Sequence, residues 1–146
     1  MSRSALVERA IDPSSLIAEV SGTGFGAVSL FLGTVRETND GRPVEGIDYT
    51  AYSAMAGAEL ARIVGEAEEL FGVTSLVVEH RIGTLALGDV SVGIAAAHAH
   101  RAQTLEAVRH VIEEIKKRVP IWKLEHYADG TRGWVDPTAR HTELRP

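Results

Sequence analysis

The best amphipathic pattern in the chain spans residues 101–118. Its apolar residues recur at three- and four-residue spacing and share one side of a helix: Leu105, Val108, Val111, Ile112 and Ile115. This spacing predicts an α-helix whose apolar side faces the core. Pro120 ends the pattern, because its ring removes an amide donor and biases Val119 towards extended geometry. The chain must therefore turn directly after the helix.

Two neighbouring lysines at the end of this helix should point in different directions. At about 100° per residue, Lys116 lies roughly 75° from the centre of the apolar stripe, whereas Lys117 lies roughly 175° away. Lys117 should therefore face water, and Lys116 should border the core. After the turn at Pro120, Lys123 can return to the helix end that carries Lys116. Cations that merely suit the helix dipole are the alternative interpretation, and the pattern alone leaves both open.

Two more helices are predicted earlier in the chain, over residues 14–20 and 54–71. Residues typical of helix ends flank both segments: Asp12 and Pro13 before the first, Ser53 before the second and Gly72 after it. The predicted apolar face of the second helix comprises Met55, Leu60, Ile63, Val64, Ala67 and Leu70.

Several apolar or β-branched segments predict strands. They cover residues 5–10, 27–35, 44–52, 75–82, 89–97, 121–127 and 133–135. The glycine-bounded turn at 83–88 predicts that the two strands beside it form a hairpin. We therefore expect an α+β fold with about three helices and a mostly antiparallel sheet. The whole chain, 1–146, should form a single domain with a loose polar tail from about residue 137.

A polar loop over residues 37–43 follows the strand that ends at Arg36. Its Asn-Asp-Gly sequence with a nearby proline is typical of a turn. Loops of this sort often carry function. A plain hairpin connection would have the same composition, so the loop's role stays open.

Composition narrows the function classes. With 146 residues and 45% hydrophobic content, the chain can bury a core without disulfides or a metal. Its formal net charge of −5 argues against nucleic acid as the main partner. The chain has no cysteine, so any sulfur used here must arrive on another molecule. It also lacks a membrane-spanning run and a signal-peptide pattern, so we expect a cytosolic protein.

Basic side chains stand mostly at the ends of the predicted elements. They are Arg36, His80, Arg81, His100, Arg101, Lys116 and Lys123. In an acidic chain this placement indicates a local positive pocket, to which the free amides at the start of the main helix would add. Two close lysines would lower each other's pKa and could supply a nucleophile or a base. The residues alone therefore predict an enzyme or a binder for a small phosphorylated anion.

His98 and His100 suggest an alternative chemistry. Two histidines at positions i and i+2 share one face of a strand and could bind a metal, as in a metal-dependent hydrolase. No third histidine or carboxylate has a telling spacing, and a bare pair is a weak signal. We therefore expect neither a metal site nor a resident cofactor.

The order of several motifs resembles one known family. The motifs, in chain order, are Phe31-Leu32-Gly33-Thr34-Val35-Arg36 with Asn39 and Gly41, Tyr49-Thr50-Ala51-Tyr52-Ser53-Ala54-Met55-Ala56, His80-Arg81-Ile82-Gly83-Thr84-Leu85 with Gly88, His100-Arg101, and Lys116 with Pro120-Ile121-Trp122-Lys123-Leu124-Glu125. Together they resemble the large, catalytic subunit of molybdopterin synthase from roughly residue 5 to Val135. The Pro-Ile-Trp-Lys element is the most specific of them.

The resemblance implies an α/β hammerhead type of fold and a cytosolic sulfurtransferase. Such an enzyme adds two sulfurs to cyclic pyranopterin monophosphate and forms the dithiolene of molybdopterin. The sulfur arrives as a thiocarboxylate on the C-terminal Gly-Gly of a small ubiquitin-like subunit. The implied assembly is a heterotetramer built on a homodimer of the large subunit. A chain without cysteine fits a sulfur donor that belongs to the partner.

The resemblance also implies roles for individual residues. Lys116 and Lys123 match the two catalytic lysines of the family. The residues that match its substrate- and anion-binding set are Arg36, His100 and Arg101, and further candidates from the same motifs are Phe31, His80, Arg81 and Trp122. Leu124 departs from the family, because many relatives have a second basic residue there. The tail after Pro137 matches no motif.

A non-catalytic module is the alternative function. It would be a dimer that only docks a ubiquitin-like tail or a phosphorylated ligand. Docking alone would not need Lys116 at the edge of the core, so the paired lysines favour the enzyme.

Overall fold

The computed structural model describes residues 2–135. Three helices are present among them: α1, Pro13–Val20; α2, Ser53–Phe71; and α3, Arg101–Arg118. The Asp12 side chain accepts a hydrogen bond from the Ser14 amide and so caps α1, as predicted. Gly72 ends α2 in a left-handed conformation with φ 65°. The predicted loose tail from about residue 137 lies outside the described residues.

The first sheet has four strands in the order β1-β5-β7-β2. Their bounds are β1, Ser2–Val7; β5, Ser75–Arg81; β7, Val90–His98; and β2, Ala27–Thr34. β5 and β7 form the predicted antiparallel pair, whereas β1 runs parallel to β5. β1 also begins and ends earlier than the predicted strand over 5–10.

The second sheet has five strands. They are β3, Thr38–Asn39; β4, Arg42–Ala51; β6, Gly83–Ala86; β8, Ile121–Tyr127; and β9, Arg132–Val135. β4 is central, because it pairs with β3, β6 and β8, and β9 extends the sheet beyond β8. The fold is therefore α+β with a mostly antiparallel arrangement, as the sequence predicts.

The first sheet separates two apolar clusters. Residues of α1, including Leu16 and Val20, pack on one face against Val77 and Ala95. α2 and α3 cover the other face, where their apolar stripes enclose the largest core of the molecule. A third cluster, around Val44 and Leu85, lies between the second sheet and the segment after β2. The end of α3 and both sheets therefore meet in one region.

Some local expectations are wrong at the helices. Ser53 does not cap α2; it is the first helical residue, and Tyr52 occupies the cap position without a side-chain hydrogen bond. Met55, Leu70 and Leu105 were expected on buried faces but are 63%, 63% and 58% exposed. At 100° per residue, Met55 and Leu105 point about 120° and about 100° away from the centres of the buried stripes of α2 and α3, and Leu70 lies in the last turn of α2.

The turn expected at residues 83–88 also differs from the prediction. It contains β6, which leaves the β5–β7 hairpin and pairs with β4 of the second sheet. The segment therefore links the two sheets. A glycine-bounded stretch indicates where the chain bends but not which distant strand it meets.

Candidate functional site

A cavity of about 330 Å³ lies where α3 and the two sheets meet. Five of the residues predicted for the site line it: Phe31, Arg36, His80, Lys116 and Lys123. They come from β2 and the segment after it, β5, α3 and β8. Elements far apart in the chain thus bring three cations and a histidine to one concave space.

Lys116 reaches the cavity from the last turn of α3. Ile112 and Ile115 line the same wall, so Lys116 borders the apolar stripe as the helical angle predicts. Lys117 points elsewhere, is 68% exposed and pairs with Glu114 at 3.5 Å. Pro120 follows α3 and allows the chain to return as β8 beside the helix end.

Lys123 enters the cavity from β8. Alternation along the strand places Ile121, Lys123 and Glu125 on the face that lines the cavity, with Lys123 opposite Tyr49 of β4. Burial lowers the pKa of Lys123, and the charges of Lys116 and Arg36 lower it further, whereas Glu125 raises it. Within residues 2–135, neither cavity lysine has a hydrogen-bonded or ion-paired partner.

His80 is a buried, uncharged imidazole in the cavity wall. Its Nδ1 lies 2.9 Å from the carbonyl oxygen of Arg81, so Nδ1 carries the proton and donates it to that oxygen. Burial lowers the pKa of His80 to about 4, and the neighbouring Lys116 and Lys123 act in the same direction. Nε2 is therefore an acceptor at neutral pH. The ring of Tyr49 packs edge-on, with 5.3 Å between the ring centroids.

Glu125 is a buried carboxylate in the same wall, only 3% exposed. The Nδ2 of Asn39 donates to Glu125 Oε1 at 3.0 Å and to Oε2 at 2.8 Å. The hydroxyl of Tyr127 donates to Oε1 at 2.9 Å. Asn39 and Glu125 both stand in the motifs that resemble the family, but the sequence analysis assigned neither of them to the site. The position of Glu125 two residues after Lys123 on a strand was the signal that both share a face.

Four of the predicted site residues do not line this cavity. His100 and Arg101 are at the start of α3 and exposed, whereas Lys116 is near its end. Fifteen residues separate Arg101 from Lys116, which is about 22 Å of helix. Arg81 instead lies 3.5 Å from Asp89, and Trp122 points to the opposite face of β8, where its ring meets that of Tyr52.

The histidine pair at the end of β7 is close but not arranged as part of a larger ligand set. The ring centroids of His98 and His100 are 5.9 Å apart, and the His100 amide donates to His98 Nδ1 at 3.0 Å. Among residues 2–135, no three side chains of His, Cys, Asp or Glu are grouped to hold a metal ion. A metal-dependent hydrolase gains no support from this geometry.

Comparisons with known proteins place this chain in a family. The family model described as "MoaE protein" matches residues 6–118, a stretch that includes Arg36, His80 and Lys116 and ends before Lys123. The chain belongs to the MoaE family. The molybdopterin synthase catalytic subunit of Synechococcus elongatus is 46% identical over 112 residues, which are 76% of this chain and 68% of that protein.

Similarity to solved structures supports the assignment of the chain to this family. The crystal structure of molybdopterin synthase from Staphylococcus aureus matches with a TM-score of 0.84 and 36% identity, over 90% of this chain and 95% of that chain. A Helicobacter pylori complex of subunits 1 and 2 of molybdopterin-converting factor matches with a TM-score of 0.73 and 26% identity, over 88% and 87%. As a MoaE-family member, the chain is an enzyme of molybdenum cofactor biosynthesis, and the non-catalytic docking module is not favoured.

None of the helices within residues 2–135 is long and apolar enough to cross a bilayer.

Proposed function

We propose that the cavity transfers sulfur from a C-terminal thiocarboxylate of a small ubiquitin-like subunit to cyclic pyranopterin monophosphate, with Lys116 and Lys123 as the catalytic residues. The observation that carries this proposal is the meeting of both lysines in one cavity, without a carboxylate partner for either ammonium within residues 2–135. Cations without a counter-ion in a concave site can bind an incoming anion and stabilise its negative charge. The cytosol is the proposed location, because the family resemblance implies it.

The two lysines have complementary properties for this chemistry. Lys116 is the more exposed and stands at the cavity edge, whereas burial lowers the pKa of Lys123. A lysine with a lowered pKa releases its proton more readily than an ordinary lysine does. We infer that the pair polarises the thiocarboxylate and moves protons as its sulfur displaces an oxygen substituent of the pterin side chain. Water then cleaves the resulting thioester, so the sulfur stays on the pterin and the small subunit leaves with a C-terminal carboxylate. His80 lies beside them as a neutral acceptor and adds no further positive charge.

Arg36 is proposed to bind the phosphate of the pterin substrate. It follows β2 at the mouth of the cavity, and its Nη2 donates to the side-chain amide oxygen Oδ1 of Asn39 at 3.4 Å. A guanidinium offers several donors in one plane and suits phosphate oxygens. Phe31 adds an apolar surface to the same wall, against which a flat ring could pack.

His100 and Arg101 require a second copy of the chain if they also bind this substrate. About 22 Å of helix separates them from Lys116 within one chain. In the homodimer that the family resemblance implies, the start of α3 of one copy could complete the cavity of the other. This role is proposed from the matching motif and from the distance, and it has a direct test.

The small subunit is the proposed sulfur carrier. The Helicobacter pylori relative is a complex of two subunits, which supports a partner of this kind for the present chain. Because the chain has no cysteine, it cannot carry the sulfur as a persulfide itself. A carrier that brings a thiocarboxylate to Lys116 and Lys123 therefore supplies the sulfur that this chain cannot carry itself.

Product formation tests the proposal. The assay mixes the chain with cyclic pyranopterin monophosphate and a thiocarboxylated small subunit and measures the dithiolene product. We expect Lys123→Ala to lose at least about 100-fold in turnover, because both proton transfer and charge stabilisation are removed. Its melting temperature and its affinity for the small subunit should stay close to wild type. An active Lys123→Ala protein would refute the assignment.

A mixed dimer tests the role of His100 and Arg101. One copy carries Lys123→Ala and the other carries Arg101→Ala. If each cavity uses Lys123 of one copy and Arg101 of the other, one cavity has both defects and the other has none, so about half of the wild-type activity returns. If the residues act within one chain, both cavities stay defective and no activity returns.

A further inference from the structure

Glu125 is the natural counter-ion of Lys123, yet the two do not pair. They lie two residues apart on the same face of β8, and both line the cavity. Within residues 2–135, the Lys123 ammonium has no ion-paired partner. The carboxylate of Glu125 is instead held by neutral donors, from Asn39 and Tyr127. The separation of the two residues along the strand therefore does not explain why their charged groups remain unpaired.

Asn39 occupies both oxygens of the carboxylate with one amide group, at 3.0 and 2.8 Å. Because Nδ2 is used in this way, the amide oxygen of Asn39 points to Arg36, whose Nη2 lies 3.4 Å away. The same side chain thus contacts a buried anion and a cation at the cavity mouth. Asn39 therefore holds the Glu125 carboxylate in place and orients the Arg36 guanidinium.

The backbone of the 37–43 loop fixes Asn39 for this task. β3 and β4 form a hairpin with a two-residue turn, in which Asn39 pairs with Arg42. The two residues between them, Asp40 and Gly41, both have positive φ, of 52° and 77°. This conformation matches the tight hairpin turn that an Asp-Gly pair favours. Arg42 also lies over the ring of Tyr127, at 3.5 Å from the ring centroid, and so ties the hairpin to the second donor of Glu125.

We propose that Asn39 is a positioning residue of the sulfur-transfer site, which engages Glu125 and so leaves Lys123 unpaired for the incoming anion. The inference rests on the proposed catalytic role of Lys123. Without the amide, the carboxylate turns towards the ammonium two residues away and forms an ion pair. Such a pair neutralises Lys123 and occupies the place of the thiocarboxylate.

Titration of Lys123 tests the proposal without any turnover. The chain has only three lysines, at positions 116, 117 and 123, so lysine side-chain NMR of the whole protein is simple to assign. The groups that face Lys123 are Lys116 from α3, Arg36 after β2, His80 from β5, Tyr49 from β4 and Glu125 from β8 itself. The exposed Lys117 serves as a reference in the same sample.

The Asn39→Ala variant should move the Lys123 midpoint to higher pH, by roughly one pH unit, because an ion pair with Glu125 favours the charged amine. Loosening of the loop could produce the same rise by admitting water. The double variant Asn39→Ala/Glu125→Gln separates the two causes. If the ion pair is responsible, the double variant returns the midpoint to or below the wild-type value; if water is responsible, the rise persists and the proposal is wrong.

Two further variants complete the design. Tyr127→Phe removes only the hydroxyl donor to Glu125 and should raise the midpoint in the same direction by less, so the test survives if Asn39→Ala fails to fold. Glu37→Ala truncates an exposed side chain of the same loop that does not line the cavity, and it should leave Lys123 unchanged. An unchanged midpoint in both Asn39→Ala and Tyr127→Phe would overturn the proposal.

Turnover then distinguishes this inference from the proposed function. The pH at which kcat/KM changes should follow the Lys123 midpoint in Asn39→Ala and return towards wild type in the double variant. If the midpoint moves as expected but the activity profile does not follow, the positioning effect of Asn39 stands and the catalytic role of Lys123 is wrong. If neither moves, the positioning effect itself is refuted.

Discussion

Lys116 and Lys117 are adjacent in the chain but face opposite surroundings. Lys116 lines the cavity, whereas Lys117 is 68% exposed and pairs with Glu114. The difference arises from the 100° step of the helix, which carries one side chain to the edge of the core and the next to solvent. These neighbours therefore form a matched pair for a test of the site.

Lys116→Ala should lower turnover at least about 100-fold, because the cavity loses one of its two lysines. Lys117→Ala makes the same truncation one residue away and should keep turnover within about twofold, since exposed pairs contribute little. Steady-state product formation with the small subunit checks both variants. Equal losses of turnover in the two variants would show that activity depends on the positive charge of the helix end and not on the position of Lys116 in the cavity.

His80 should make the stability of the fold depend on pH. Its pKa is lowered from 6.5 to about 4, mainly by burial. Between these values the unfolded chain binds a proton that the folded chain excludes, so the free energy of unfolding falls as the pH decreases. This contribution of the uncharged His80 to the free energy of unfolding is fully present above pH 6.5 and is lost by about pH 4. It amounts to about 3 kcal/mol at most.

Urea unfolding at several pH values between 7.5 and 4 measures this dependence. His80→Gln should be less stable than wild type at neutral pH but should show a flatter decline on acidification, because it has no buried imidazole to protonate. His98→Gln changes a histidine outside the cavity and should keep the wild-type slope. Identical slopes for wild type and His80→Gln would contradict the assignment.

Arg118, the last residue of α3, bridges α3 to the middle of α2. It contacts Glu59 at 2.7 Å, Glu66 at 2.7 Å and Glu114 at 3.2 Å, and its side chain is 27% exposed. The guanidinium holds the pKa of all three carboxyl groups below the ordinary value. We expect Arg118→Ala to reduce the free energy of unfolding by about 1–2 kcal/mol, because a network of charges is lost.

Arg109 is the control for this prediction, because it lies on the same helix and, within residues 2–135, forms one ion pair, with the exposed Glu113 at 3.1 Å. Arg109→Ala should cost only about 0.3–0.5 kcal/mol. Chemical denaturation of both variants gives the comparison. If the two lose the same stability, the Arg118 contacts do not act as a network.

Gly46 allows β6 to approach β4. A Cβ at this position would lie 2.9 Å from the carbonyl oxygen of Leu85, which is backbone and cannot turn away. Gly46→Ala should therefore destabilise the fold by roughly 1–3 kcal/mol. Gly65→Ala in α2 meets nothing within 4 Å and should stabilise the fold by roughly 0.5–1 kcal/mol, because alanine favours the helix. Thermal unfolding of the two variants should give opposite shifts.

Local patterns in the sequence determined much of the framework. The period of α3, the break at Pro120 and the cap at Asp12 all depend on residues within a few positions of one another. The same helical angle placed Lys116 beside the core and Lys117 in solvent. These features follow from backbone geometry and steric limits that act over one or two turns.

Tertiary structure alone decided which groups meet. Asn39 and Glu125 are 86 residues apart, and their contact depends on the pairing of β4 with β8 and on the turn that presents the loop. β6 joined the second sheet for a similar reason, because a glycine-bounded segment has no local preference for a distant strand. The separation of Arg101 from the cavity likewise follows from the length of α3. Local periodicity sets the direction of each side chain, whereas strand register and packing over long separations decide what it faces.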